Sequence, residues 1–162
     1  MASATRFARF AAKLASLQGL AWRDRWLLLQ AGLLMPFLGL ALKVISFRRT
    51  YSLLRRLAPQ RDPAGSTDPE TASARVLQVA RVVGMASRHT PTRNSCLHRS
   101  LALWWLLRRR RFDSHLHFGA RRQQSGFEAH AWVEHNGVVV FDDLVPDRDY
   151  VRLSWQPLEH DA

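Results

Sequence analysis

Residues 96–143 read CLHRSLALWWLLRRRRFDSHLHFGARRQQSGFEAHAWVEHNGVVVFDD, and this stretch decides the fold. Its first part, residues 96–110, places apolar side chains on nearly every side of a helix, which indicates a central, buried helix. From residue 114 the hydrophobic period changes to two, which predicts β-strands. We expect these strands over residues 114–121, 127–135 and 138–143. A helix followed by an antiparallel sheet predicts an α+β fold.

A linker divides the rest of the chain. Residues 58–68 combine proline, glycine and small polar residues, which is typical of a linker. After it, the predicted domain spans residues 69–162, begins with a helix over 69–88 and ends with a tail that adds a further strand. Before it, residues 1–57 are predicted to form a basic and apolar helical arm.

The arm contains a long uncharged run, residues 26–42 (WLLLQAGLLMPFLGLAL). Pro36 in its middle predicts a kink or a break in the helix. Three interpretations stay open: a helix buried against the domain, a helix lying on or dipping into a membrane surface, and a true membrane span. Further helices are expected over residues 1–25 and 43–57. No signal peptide is visible, because no apolar core directly follows the basic start.

Charge is distributed unevenly along the chain. The 162 residues include 24 basic and 13 acidic side chains, for a net charge of +11. Residues 1–61 hold 11 of the basic residues and a single acid, Asp24. This excess indicates an acidic partner or an anionic membrane surface, unless it is simply a solvated face. No nucleic-acid-binding motif accompanies it, so we expect no nucleic-acid partner.

Cys96, the single cysteine, stands at the start of the predicted buried helix. The positive end of the helix dipole favours a thiolate, which is the nucleophilic form of the side chain. The alternative is a small buried hydrophobic residue, as most lone cysteines are. A single cysteine also excludes an extracellular scaffold held together by intramolecular disulfides.

His130 lies in a predicted strand, and Trp132 two residues later faces the same way. A histidine beside a thiolate can hold the ion pair and later donate its proton to a leaving amine. An indole beside that pair would shield it from water. The alternative is a core histidine satisfied by a hydrogen bond.

An acidic side chain should orient the histidine, and the hairpin at Asn136-Gly137 limits which one can do so. A two-residue loop places Asp143 opposite His130, whereas a three-residue loop places Asp142 there. Either register completes a set of nucleophile, base and orienting acid with Cys96.

Metal binding is the competing interpretation, because the same stretch holds several thiol and imidazole groups. These are Cys96, His98, His115, His117, His130 and His135. Their spacing fits no standard zinc module, so we expect neither a metal nor another cofactor.

Three stretches resemble a known family. SCLHRSLAL (95–103), HAWVE (130–134) and WRDRWLLLQAGLL (22–34) resemble the leader peptidases of lasso-peptide biosynthesis in their stand-alone form. Those enzymes belong to the transglutaminase-like branch of the papain-like cysteine enzymes. In the domain the resemblance covers roughly residues 70–155, and residues 22–34 resemble the helical arm of the stand-alone form. It implies a transglutaminase-like domain in which the cysteine helix packs on an antiparallel sheet, preceded by a helical arm.

The resemblance also implies roles for particular residues. Cys96 would be the nucleophile and His130 the general base and acid. The family's aspartate follows that histidine by twelve residues, which selects Asp142 and the three-residue loop, with Asp143 as the alternative.

Supporting roles follow from the mechanism and from the positions of the residues. The Cys96 backbone N–H would donate to the oxyanion, with Asn94 as the candidate second donor. Trp132 would shield the histidine, and Arg99, near one helical turn past the nucleophile, would pair with a buried acid.

The implied reaction is removal of the leader from a ribosomally made precursor peptide. The implied partners are that precursor, a small leader-binding protein and an ATP-dependent cyclase. We expect a cytoplasmic enzyme, with residues 1–57 available for contact with a partner or a membrane surface. Two alternatives stay open: a transglutaminase-like acyltransferase on another peptide or amine, and a non-enzymatic membrane-associated binding module.

Overall fold

A computed structural model describes residues 21–58, 69–89, 96–123, 126–140 and 150–153. Within these ranges the helices are α1 (Trp22–Val44), α2 (Phe47–Leu57), α3 (Pro69–His89) and α4 (Cys96–Arg109). The strands are β1 (His115–Gln123), β2 (Gly126–His135), β3 (Val138–Val140) and β4 (Val151–Arg152). Helices followed by an antiparallel sheet confirm the predicted α+β architecture, including a strand in the tail.

One hydrophobic core joins all four helices to one face of the sheet. Its members include Leu38 of α1, Leu54 of α2, Val83 of α3, Leu106 of α4 and Val133 of β2. Trp104 of α4 is 1% exposed, and its ring stacks on that of Tyr51 with the centroids 4.7 Å apart. The helices of residues 22–57 therefore pack into the same core as the helix that begins at Cys96.

α1 runs unbroken from Trp22 to Val44, so the break predicted at Pro36 is absent. Pro36 is exposed, whereas Met35 and Leu38 beside it are fully buried. Packing of these neighbours compensates for the hydrogen bond that proline cannot donate, because tertiary contacts supply most of a helix's stability. Of the first predicted helix, residues 1–20 lie outside the described residues.

The strands form one antiparallel sheet in the order β3-β2-β1-β4. Asn136 and Gly137 join β2 to β3, and their φ angles of 51° and 77° are both left-handed. A two-residue turn of this kind matches the twist of the flanking strands, and it pairs His135 with Val138. The three-residue loop selected by the resemblance is therefore wrong, because Asn and Gly both tolerate the left-handed backbone that the tighter turn needs.

The two faces of the sheet differ in chemistry. The inner face, with Leu116 and Val133, packs against the helices, as the alternation predicted. The outer face carries alternate residues of β2, namely Glu128, His130, Trp132 and Glu134, together with their neighbours on β1 and β4. The outer face therefore carries the acidic side chains of β2 and the imidazole of His130.

Candidate active site

α4 begins at Cys96, as predicted, and the cysteine is half-buried there. The sulfur therefore lies at the positive end of the helix dipole, where negative charge is stabilised. One turn later, the buried hydroxyl of Ser100 donates a hydrogen bond of 2.8 Å to the Ala131 carbonyl in β2. Four residues of helix advance about 6 Å. The bond thus fixes the start of α4 close to the strand segment that contains His130.

Two aromatic rings hold the imidazole of His130. The Trp132 ring lies 6.3 Å away at an angle of 15°, and the Tyr150 ring lies 5.2 Å away at 25°. The prediction that Trp132 shares a face with His130 is confirmed. Both aromatic residues are buried, at 1% and 5% exposure. They therefore restrict the rotation of the imidazole and exclude water from the sides they cover.

Gly119 allows this close stacking. It pairs with His130 across β1 and β2, and it is buried. A Cβ atom at this position would lie 2.9 Å from Tyr150 Cβ and 3.0 Å from the Trp132 ring. Any side chain would therefore displace one of the two rings. Glycine weakens most strands, but here it permits a close approach.

The Glu134 carboxylate fixes the orientation of the Trp132 ring through a hydrogen bond. The indole Nε1 donates a hydrogen bond of 2.9 Å to Oε1 of the buried Glu134 carboxylate. An Arg152 nitrogen lies 2.7 Å from that carboxylate, and the His117 Nε2 lies 3.2 Å from it. These partners matter, because an unpaired buried charge would be strongly destabilising.

A second carboxylate, that of Glu128, fixes the position of Tyr150 through a hydrogen bond. The Tyr150 hydroxyl donates to Glu128 Oε1 at 3.2 Å, and Arg121 Nη2 lies 2.8 Å from Glu128 Oε2. The Arg121 guanidinium also lies 4.8 Å above the Tyr150 ring. The hydrogen bond from Arg121 lowers the pKa of Glu128 below its usual value, so the carboxylate stays ionised at neutral pH.

The other predicted site residues have different outcomes. Arg99 is half-buried in the first turn of α4, and its supporting role stays a prediction. Asn94, Asp142 and Asp143 lie outside the described residues. Across the described ranges, no three His, Cys, Asp or Glu side chains gather as a metal site would require. A half-buried thiol at a helix start and an imidazole of restricted rotation are groups that a cysteine-nucleophile site requires.

A sequence profile of the transglutaminase-like superfamily matches residues 39–154, which is more than half of the chain. The chain belongs to the transglutaminase-like superfamily. Members of this superfamily are typically enzymes and include cysteine proteases and acyltransferases. The match spans the end of α1 through β4, and so includes Cys96 and His130. No curated protein and no solved structure matches the chain significantly.

Sequence reasoning missed several residues that shape this transglutaminase-like site. Glu128 could have been found from the sequence, because it shares the two-residue period of His130. Gly119 could have been found because it interrupts the alternation of a strand. Ser100 also left a sequence signal, as a hydroxyl directly before the apolar run 101–107. No sequence signal points to Tyr150, because its contact with His130 depends on how β4 joins the sheet.

Proposed function

We propose that this transglutaminase-like protein is a cysteine endopeptidase that removes the leader from a ribosomally made precursor peptide during lasso-peptide maturation. Cys96 is the nucleophile, and His130 is the general base and acid. The observation that carries the proposal is the hydrogen bond from Ser100 to Ala131, because it ties the start of the cysteine helix to the strand of the held histidine.

The reaction transfers an acyl group first to sulfur and then to water. The Cys96 thiolate attacks the scissile carbonyl carbon, and the Cys96 backbone N–H donates to the developing oxyanion. The C–N bond then breaks while the His130 imidazolium gives its proton to the leaving amine. A water that loses a proton to the same imidazole attacks the thioester, releases the leader carboxylate and restores the thiolate–imidazolium pair.

This mechanism sets a geometric requirement. His130 lies on the outer face of the sheet, whereas Val133 on the inner face contacts the helices. The Cys96 thiol can therefore reach the imidazole only at the edge of the interface between α4 and the sheet, and not through the packed centre of that interface. The position of Cys96 as the first residue of α4 favours such a meeting.

The third member of the triad is an aspartate in the segment after β3. The spacing in the resembling family favours Asp142. The observed turn favours Asp143, since the pairing of His135 with Val138, if continued, brings that residue opposite His130. Asp142→Asn and Asp143→Asn, measured in parallel, identify the orienting acid as the variant whose cleavage rate falls by about 10³-fold or more.

The substrate class and partners rest on the resemblance of residues 22–34, 95–103 and 130–134. In this proposal a small leader-binding protein delivers the precursor in the cytoplasm. The enzyme cuts between leader and core, and a separate ATP-dependent cyclase takes the freed core amine.

The first experiment needs no peptide substrate. Cys96 is the single thiol, so a maleimide or iodoacetamide labels only this residue. We expect His130→Gln to slow alkylation at neutral pH by about tenfold or more, because the imidazolium that supports the thiolate is lost. His115→Gln is the matched control, since it removes an exposed imidazole from β1. Equal alkylation rates in all three proteins contradict the pairing.

Precursor cleavage tests the reaction itself. Cys96→Ala should keep the circular dichroism spectrum and lose at least about 10³-fold in cleavage rate with the precursor and the leader-binding protein present. Product masses separate the two enzymatic alternatives, because only hydrolysis adds one water. Undiminished cleavage by Cys96→Ala rejects the peptidase, and a product joined to an amine favours the acyltransferase.

A further inference from the structure

The opposite sides of α1 are both apolar, but only one of them is buried. Met35 and Leu38 on the inner side are fully buried in the core. The outer side carries a row of large apolar residues spaced three or four apart, between 49% and 79% exposed. This outer stripe is Trp22, Trp26, Leu29, Leu33, Phe37 and Leu40. A contiguous exposed row of this size indicates a surface that is covered in function.

Basic side chains border the outer stripe on both sides. On a helical wheel, Arg23 lies about 80° to one side of the stripe, and Arg25 and Lys43 lie about 80° to the other. All three are exposed, and they stand near the two ends of the helix. A row of apolar side chains between cations, with two tryptophans at one end, is the pattern of a helix that lies in a lipid headgroup layer.

Helix α2 adds to this charge. Its exposed side carries Arg48, Arg49, Arg55 and Arg56. Over residues 21–58, seven basic side chains stand against one acid, Asp24. An anionic surface complements this charge, and it attracts clustered cations within about a Debye length.

We propose that the outer stripe of α1 docks the protein on an anionic lipid bilayer, with the helix parallel to the membrane surface. α1 is the one helix of the described residues with the length and hydropathy to cross a membrane. A crossing is disfavoured, however, because the inner side of α1 packs on α3 and α4. Exposed arginines of α3, such as Arg75 and Arg81, would then be drawn into hydrocarbon.

The test is flotation of the full chain with phosphatidylcholine vesicles, with and without phosphatidylglycerol. We expect the wild type to float with the anionic vesicles and to be released by high salt, since salt screens the cationic border. The triple variant Leu33→Gln, Phe37→Gln and Leu40→Gln should bind at least about tenfold more weakly, because it removes the inserted apolar groups.

Matched controls separate the stripe from general hydrophobicity. Leu77 on α3 and Phe127 on β2 are 50% and 83% exposed and belong to other elements than the stripe. The double variant Leu77→Gln and Phe127→Gln should float like the wild type. Circular dichroism and a thermal melt should show all variants folded, because every substituted side chain is exposed.

Three results overturn the proposal. One is a wild type that stays in the soluble fraction with anionic vesicles. Another is a triple variant that floats as well as the control. The third is a wild type that ignores lipid but forms a dimer that the triple variant loses, since a second copy would then cover the stripe. Binding by Cys96→Ala should equal that of the wild type, so the result does not depend on the proposed peptidase activity.

Discussion

Helices α1 and α4 look alike in sequence but differ in their surroundings. Both are apolar on nearly every side, over 23 and 14 residues. The apolar residues of α4 are almost all buried, from Leu101 to Leu107, with Trp105 half-buried. In α1 only one side is buried, and residues such as Leu33 are mostly exposed. A helix that is apolar on nearly every side is therefore expected to be covered on every side. The pattern does not show which surface covers it.

The difference comes from the neighbours of each helix. α4 packs against β1 and β2 on one side and against the other three helices elsewhere. α1 packs chiefly on helices α3 and α4. The helix with the sheet beneath it has almost all of its apolar side chains buried, and it is also the helix that carries Cys96. The outer helix keeps a free apolar side, which is where we propose lipid contact.

The largest expected effect is at the closed helix. Leu106→Ala should lower the free energy of unfolding by about 2–5 kcal/mol, because it leaves a cavity where the side chain is 0% exposed. Urea denaturation at neutral pH measures this. A loss below about 1 kcal/mol would contradict the view that the apolar side chains of α4 are enclosed in the core.

The link between α4 and the sheet comes next. Ser100→Ala removes the hydroxyl bonded to Ala131, and we expect a loss of about 1–2 kcal/mol in urea denaturation. Alkylation of Cys96 should change as well, since the start of α4 loses its tie to β2. The control is Ser52→Ala, an exposed serine on α2, which should alter neither quantity. If both variants behave alike, the bond does not position α4.

A smaller, pH-dependent effect is expected from His98 in the first turn of α4. Burial lowers the pKa of His98 below its usual value. Below about pH 6.5 the unfolded chain therefore binds a proton that the folded chain does not, so stability falls as pH falls. His98→Gln should flatten this slope between about pH 7 and the lowered pKa. An unchanged slope in urea denaturation series over that range would show that His98 is equally protonatable in both states.

The smallest effect is expected at the open helix. Leu33→Ala makes the same chemical change as Leu106→Ala, but its side chain is 65% exposed. We expect a change within about 0.5 kcal/mol in stability. A loss comparable to that of Leu106→Ala would mean that the outer stripe is covered within the protein, and it would remove the basis for lipid docking.

The order of elements was predictable because it depends on local patterns. The change of period near residue 114 located the sheet, and the Asn136-Gly137 pair located the hairpin. The register was inferred incorrectly from family spacing, although the residue types at the turn already favoured the two-residue loop. The break predicted at Pro36 is absent for a different reason, since the cost of one missing hydrogen bond is local whereas the packing that offsets it is not.

Part of the candidate site was also predictable from local sequence patterns. Cys96 at a helix start and His130 beside Trp132 are features of a few neighbouring residues, and the structure places them as expected. The contact between the rings of Tyr150 and His130 joins residues 20 positions apart along the chain. The hydrogen bond from Ser100 to Ala131 joins residues 31 positions apart.

The sequence by itself determined the α+β class, the helix that begins at Cys96, and the shared face of His130 and Trp132, because helical and strand periods are set within a few residues. Only the tertiary structure decided that α4 is enclosed while α1 keeps an open apolar side, and that Tyr150 and Gly119 frame the histidine. The physical reason is that burial depends on which surfaces meet in space, and two apolar helices cannot both occupy the centre of a small core.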